Sequence, residues 1–305
     1  MNILVLGASF TGEYLADHFP DHQVWFLSRR SADLIRAGRR VYPVNGAGDA
    51  GQPLRFDAIM DTVPAIAAGS ENENPNAILD PPYMPAVLSL LERDPGLPFI
   101  HISSTSVLPG SARDGGTVRA TDATDGSAGS ATADSTRPAA FDETTPVGPE
   151  NSRGMRRLNL ERRIRELVPA AAILRSTGIY GPGRSIALQF REGNFRRTAS
   201  GNVYVSRIHV HDLVRLCLAM ATRLRANPND AAVRLVHAVD EKPTANREVF
   251  SFLETELGLA VPGDWRDQPA QGRVVRSLYA RDLLGGRYRY PTYIEGFRAC
   301  LAGEG

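Results

Sequence analysis

The chain has 305 residues, 42% hydrophobic and 23% charged, with 35 basic against 34 acidic side chains and a formal net charge of +1. That balance leaves no electrostatic footprint for nucleic acid or an anionic membrane surface, and the length suits one large domain or two. No apolar run approaches the ~20 residues of a membrane span, and Cys217 and Cys300 stand far apart in apolar helix-like segments, as expected of buried free thiols.

In chain order, the first element is an apolar strand, Met1-Asn-Ile-Leu-Val-Leu6, which breaks at Gly7-Ala-Ser-Phe-Thr-Gly12 and resumes with helical spacing at Glu13-Tyr-Leu-Ala16. A core strand beginning at residue 2 lacks the basic region and cleavage site of a signal peptide, so a cytoplasmic location is expected. At a strand–turn–helix junction, backbone N–H groups and the helix dipole favour an anion, and a dinucleotide pyrophosphate fits there without a basic side chain. Gly7 permits the sharp turn. Any side chain at Gly12 would intrude between helix and strand or into the pyrophosphate site. Ser9 stands where the middle glycine of G-x-G-x-x-G belongs, with Phe10 and Thr11 completing the turn; a bare structural turn is the alternative reading.

The second strand, Gln23–Leu27, ends in Ser28-Arg29-Arg30. An NAD-preferring site places Asp or Glu at this point to accept from the ribose hydroxyls. A serine beside two guanidinium groups suits a 2′-phosphate instead, so NADP is the expected cofactor and NAD the alternative. A solvated charge pair is the bland reading of the same residues.

Further strands are expected at residues 40–44, 57–61, 98–103, 171–175 and 233–239, and covering helices at 83–92 and 158–167. Continuous apolar strands alternating with helices imply an α/β fold with a doubly wound parallel sheet covered on both faces. Residues 111–140, rich in Ser, Ala, Thr, Gly and Asp, are expected to be a mobile insertion, either inert or a substrate lid.

Several segments then resemble the extended and atypical short-chain dehydrogenase/reductases of the NAD(P)-dependent epimerase/dehydratase type, particularly the YeeZ-like branch. Ser103-Ser-Thr-Ser-Val-Leu-Pro-Gly110 is similar to its S-S-x-x-V-Y-G segment, and Leu174-Arg-Ser-Thr-Gly-Ile-Tyr-Gly-Pro-Gly183 to its L-R-x-x-x-I-Y-G-P-G segment. Ser206-Arg-Ile-His-Val-His-Asp-Leu213 is similar to its R-I-H-V-D-D-L stretch, and Val239-Asp-Glu-Lys-Pro243 to its D-D-E-P turn. The resemblance implies a Rossmann sheet in residues 1–180 and a small substrate-binding region in 181–305, with the strand near 233–239 returning to the sheet. It implies cofactor contacts from Thr62, Val63, Ser103, Arg157, Thr177, Gly178 and Ile179.

It also implies a catalytic hydroxyl at Ser104, three positions before the valine of S-S-x-x-V. A Tyr-x-x-x-Lys pair completes the site in active members, where tyrosine moves the proton and lysine lowers its pKa and contacts the ribose. Here Arg157-Leu-Asn-Leu-Glu161 aligns with K-L-x-x-E, so Arg157 takes the lysine position and Arg153 the tyrosine position. Arg157 can still supply charge and hydrogen bonds. Arg153 cannot replace a phenol, because guanidinium does not deprotonate near neutral pH. Tyr180 is a candidate acid in its place or a packing residue. His209 is a candidate substrate contact or a structural histidine, and His101 is expected to pack between the sheet and a helix. Arg184, Arg191, Arg196, Arg197 and Arg207 cross the expected substrate region, and Arg184 and Arg207 with His209 are the chosen contacts to an anionic small molecule. Two readings stay open: an NADP-dependent oxidoreductase or epimerase/dehydratase-like enzyme acting on a carbonyl or sugar-type molecule, or an NADP(H)-binding regulator without turnover. Either is expected as a monomer or homodimer.

Overall fold

The protein is described by a computed structural model covering residues 1–42, 54–63, 81–110, 139–194, 202–261 and 270–304. The chain runs β1 (Asn2–Leu6), α1 (Phe10–His18), β2 (Gln23–Leu27), α2 (Ser31–Arg36), β3 (Arg40–Val41), β4 (Ala58–Asp61), α3 (Met84–Arg93) and β5 (Phe99–Ser104). It continues through β6 (Ala139–Phe141), α4 (Ser152–Leu167), β7 (Ala172–Ser176), β8 (Gly178–Tyr180), α5 (Ile186–Arg191), β9 (Tyr204–Val205), β10 (Arg207–His209) and α6 (Val210–Ala226). The last elements are β11 (Leu235–Ala238), β12 (Thr244–Ala245), α7 (Asn246–Leu257), β13 (Arg273–Val275), α8 (Ala280–Leu283) and α9 (Tyr293–Ala302).

Seven strands form one parallel sheet in the order β11-β7-β5-β4-β1-β2-β3. The chain starts in the middle and reverses its winding between β1 and β4, which opens a crevice at the carboxyl ends of those strands. Every residue of β4 and β7 is buried, as two-sided coverage requires. Alternation along β1 divides the core. Ile3 and Val5 pack with Tyr14 and Leu15 of α1, Leu213 and Leu216 of α6 and Leu283 of α8. Leu4 and Leu6 face the other way, onto Met84, Val87 and Leu90 of α3 and Ile164 of α4. A separate, smaller core joins α5, α7 and α9 through Leu188, Val249, Leu253 and Phe297. Cys217 and Cys300 are buried free thiols.

β11 pairs in register with β7, Leu235 opposite Ile173, so residues 235–238 close one edge of the sheet. Of the segment 111–140, residues 111–138 lie outside the described residues, while Ala139 and Ala140 already belong to β6, paired with β13. Helix α4 begins six residues earlier than the apolar pattern predicts. Its first turns, Ser152-Arg-Gly-Met-Arg-Arg157, carry no apolar stripe, and tertiary packing sets the start instead. Asn151 caps the helix through Gly154 N, 2.8 Å away. A Cβ on Gly154 would come 2.3 Å from the Ser106 carbonyl oxygen, so glycine lets the helix approach the turn after β5. Among the described residues no helix is long and apolar enough to cross a membrane.

Candidate active site

The crevice between β1 and β4 is floored by the glycine turn. Gly7 sits at φ +87°, a conformation that favours glycine, and its amide donates to the Leu27 carbonyl. Ser9, in extended geometry, caps α1 through its Oγ, 3.1 Å from Gly12 N. The hydroxyl thus replaces the middle glycine with a helix cap, and the first-turn amides of Phe10 and Thr11 remain for an anion. For Gly12 the geometry selects between the two expected intrusions: a Cβ would lie 2.7 Å from Val5 Cγ1 and 3.2 Å from Phe26 Cε1. A side chain there meets the sheet, and a substitution disturbs helix–strand packing before it reaches a phosphate. Val63 Cγ2 would come 3.0 Å from a Cβ at Gly7, and Thr62 Oγ1 donates to the Leu6 carbonyl at 2.8 Å, so both residues wall the turn.

At the end of β2, Ser28 Oγ accepts from Arg30 N at 3.1 Å, and Arg30 pairs with Asp33 on the surface. Arg29 is exposed and has no carboxylate partner among the described residues. Across the turn, the Arg184 guanidinium lies 5.5 Å from the Phe10 ring centroid, a cation–π contact. Arg184, expected on the substrate, is therefore seated against the glycine turn. Thr177 Oγ1 donates to the Ala238 carbonyl at 2.9 Å, tying β7 to β11. Gly178 and Ile179 pair with Arg207 and Ile208 in the β8–β10 ribbon.

At the end of β5, Ser104 Oγ accepts from Ser106 N at 3.2 Å, and its own proton has no acceptor among the described residues. Arg157 Nη1 donates to Ser106 Oγ at 3.0 Å, which brings the aligned arginine to the same turn as Ser104. Burial holds the Arg157 guanidinium below the usual arginine value, and the neighbouring Arg153 adds to the effect. Arg153 is exposed. Of the two arginines one helical turn apart, Arg157 reaches the serine turn. Ser103 points the other way: its hydroxyl donates to Glu161 Oε1 at 2.6 Å, and Glu161 holds Arg175 at 2.8 Å, with both members of the ion pair buried. This network docks α4 on β5 and β7 and occupies the Ser103 side chain. Sequence reasoning passed over it, although Glu161 and Arg175 both lie within the aligned motifs.

Tyr180 is 5% exposed and stacks edge-on against Phe297, with burial pushing its phenol far above its ordinary value. A Cβ on Gly296 would fall 2.1 Å from its hydroxyl oxygen. It is a packing residue. His209 Nδ1 accepts from His211 N at 3.1 Å and caps α6, and burial lowers its pKa to about 3, so the ring stays neutral. His101 is 2% exposed, and its Nδ1 donates to Asp61 Oδ2 at 2.7 Å, the oxygen that also accepts from Tyr83 at 2.6 Å. That network joins β4, β5 and α3, the packing role expected of this histidine. Arg191 donates to the Leu301 carbonyl and anchors α5 to α9, while Arg196 and Arg197 lie outside the described residues.

Arg207, at the start of β10, is 8% exposed and donates to the Val205 carbonyl at the end of β9, and burial lowers its pKa while Asp240 opposes the fall. Asp240 is a residue that sequence reasoning left in a turn motif. It is 4% exposed, and Oδ1 accepts from Lys242 N at 3.2 Å while Oδ2 has no hydrogen-bond partner. Burial raises its pKa from 3.8 to about 7, with Arg207 opposing. The folded-state value exceeds the unfolded one, so the native state binds the extra proton between these values and stability falls as pH rises through that window. Asp240→Asn is expected to stabilise the protein by up to about 4 kcal/mol at pH 8 and by well under ~1 kcal/mol near pH 4. Thermal melts across pH check this; a pH-independent difference would contradict it.

No family profile and no curated protein matches the chain. Solved structures do. An NAD-dependent epimerase/dehydratase assignment from Methylobacillus flagellatus aligns over 99% of this chain and 97% of its own, with 24% identity and a TM-score of 0.68. The chain shares the Rossmann-like α/β fold of these structures. A conserved protein of unknown function from Silicibacter pomeroyi aligns over 99% of both chains, with 20% identity and a TM-score of 0.66. UDP-glucuronic acid 4-epimerase from Bacillus cereus, solved with NAD, covers 98% of this chain and 97% of its own at 16% identity and a TM-score of 0.60. In this fold the glycine turn after β1 sits at the winding reversal, and Ser104 ends β5, which lies next to β4 on the far side of β4 from β1.

Proposed function

We propose that the chain binds NADP(H) on the Gly7–Gly12 turn and acts as an oxidoreductase or epimerase-like enzyme on a small anionic carbonyl or sugar-type substrate. The observation that carries this reading is the turn itself: Gly7 at positive φ, the Ser9-capped helix and the unconsumed first-turn amides, all at the winding reversal of the sheet. The NAD held by the Bacillus cereus epimerase supports the dinucleotide, and Arg29 favours the 2′-phosphate. The cofactor, when bound, supplies hydride chemistry. The protein's own part is to orient the substrate: the Ser104 hydroxyl donates to a carbonyl oxygen as negative charge develops, and Arg157 and Arg153 hold an anionic group beside it. The smaller core that joins α5, α7 and α9 is the proposed substrate-binding region.

A second reading is favoured by one observation. With Arg153 at the phenol position and Tyr180 packed against Phe297, neither of the two considered positions offers an exposed tyrosine to relay a proton. An NADP(H)-binding regulator without turnover follows from that. NADPH oxidation followed against a panel of carbonyl compounds and nucleotide sugars decides between the two. Turnover of any member establishes the enzyme; tight NADPH binding without turnover of any establishes the regulator.

A further inference from the structure

The face of the sheet opposite α4, covered by α1, α6 and α8, carries a second concentration of charge. His211 and Arg215, in the first two turns of α6, and Arg287, Tyr288 and Arg289, in the segment between α8 and α9, line an open hollow of about 380 Å³. This is within the size range of small-ligand sites. None of its lining residues belongs to the glycine turn or to the Ser104–Arg157 cluster.

The hollow is built rather than incidental. Asp212, fully buried, accepts from the amides of Arg289 and Tyr290 at 2.8 Å each and from Arg215 Nη1 at 2.9 Å. One carboxylate therefore fastens the 287–290 segment to α6 and has no charge left for the surface. Arg215 is further pinned by the carbonyls of Arg287 and Leu284, at 3.0 and 3.2 Å. Three of its five N–H donors are used and the others stay in a fixed orientation. Arg287 and Arg289 are exposed and have no carboxylate partner among the described residues. The Arg289 guanidinium rests 5.8 Å from the Tyr290 ring centroid. Burial lowers the His211 pKa; Asp212 opposes this, and Arg215, Arg289 and His18 push it further down. The Tyr14 hydroxyl sits 3.2 Å from His211 Nδ1. Among the described residues no carboxylate lines the hollow.

We propose that this hollow is a binding site for a diphosphate group, separate from the candidate active site. Three guanidinium groups, one of them held rigidly, match the several charges and fork geometry of linked phosphates better than those of a single carboxylate.

The test uses the full chain and inorganic pyrophosphate, with orthophosphate beside it, by calorimetry at low salt, and follows the His211 ring by NMR as a local reporter. Pyrophosphate is expected to bind more tightly than orthophosphate, and to raise the His211 pKa, because an anion stabilises the imidazolium. Arg287→Ala with Arg289→Ala should weaken the component that His211 reports by about tenfold, since each exposed guanidinium contributes modestly. Both side chains are exposed, so the melting temperature of the double variant should match the parent. His211 reports this hollow even where pyrophosphate also enters the glycine turn, so failure here is distinguishable from failure of dinucleotide binding. An unshifted His211, equal affinity for the two anions, or a double variant that binds as the parent does would overturn the proposal.

Discussion

Glu161→Ala is expected to cost about 3–5 kcal/mol of folding free energy, because it strands a buried cation. Glu161 and Arg175 are 0% and 3% exposed, and three contacts between 2.8 and 3.3 Å join them. Removing the carboxylate leaves the guanidinium of Arg175 without its counter-charge inside the sheet–helix interface, and also deprives the Ser103 hydroxyl of its acceptor. The loss falls on α4, the helix that carries Arg153 and Arg157, so the site loosens with the fold. Urea unfolding of the variant should show the midpoint falling sharply. A cost below about 1 kcal/mol, the range of surface ion pairs, would show that this pair is not the clamp the geometry makes it.

Ser104→Ala is the counterpart for chemistry. The hydroxyl caps the turn after β5 by accepting from Ser106 N, and in the proposed reaction its proton would donate to a carbonyl. A donor whose bond strengthens as charge develops affects the rate more than the binding, so turnover should fall by about a hundredfold or more with NADPH affinity held. Arg153→Ala, in contrast, should raise KM and leave the limbs of the pH–rate profile in place, because arginine does not titrate in the working range. A pH profile that loses a limb on replacing Arg153, or a Ser104→Ala variant that turns over normally, would contradict these roles.

The parts of the fold that showed in the sequence are those where one element dictates its own pattern. The apolar runs of β1, β4, β5 and β7 are continuous because both faces of the sheet are covered, and they are legible without any partner. The turn at Gly7 is legible for the same local reason: the backbone geometry demands glycine. The start of α4 was hidden, because Gly154 and Asn151 acquire meaning only when the Ser106 carbonyl lies against the helix. Tyr180 and Arg184 show the same limit. Tyr180 lies in the motif after β7 and Arg184 directly follows it, but the phenol is drawn into the Phe297 core and the guanidinium onto Phe10, and neither direction is written in local spacing. The Ser103–Glu161–Arg175 and Tyr83–Asp61–His101 networks join residues 14 to 58 positions apart, so composition and periodicity carry no trace of them. What marks them is the burial of polar groups, which must find partners.

The central claim is that the Gly7–Gly12 turn holds a dinucleotide and that Arg29 grips its 2′-phosphate. Calorimetric titration of the full chain with NADPH and NADH, repeated on Arg29→Ala, tests it directly. The parent should bind NADPH more tightly, and losing one charge-assisted phosphate contact, about 1.5–3 kcal/mol, should weaken NADPH by roughly ten- to a hundredfold while NADH stays nearly unchanged. Equal affinities in the parent, or binding of neither dinucleotide, would contradict the account.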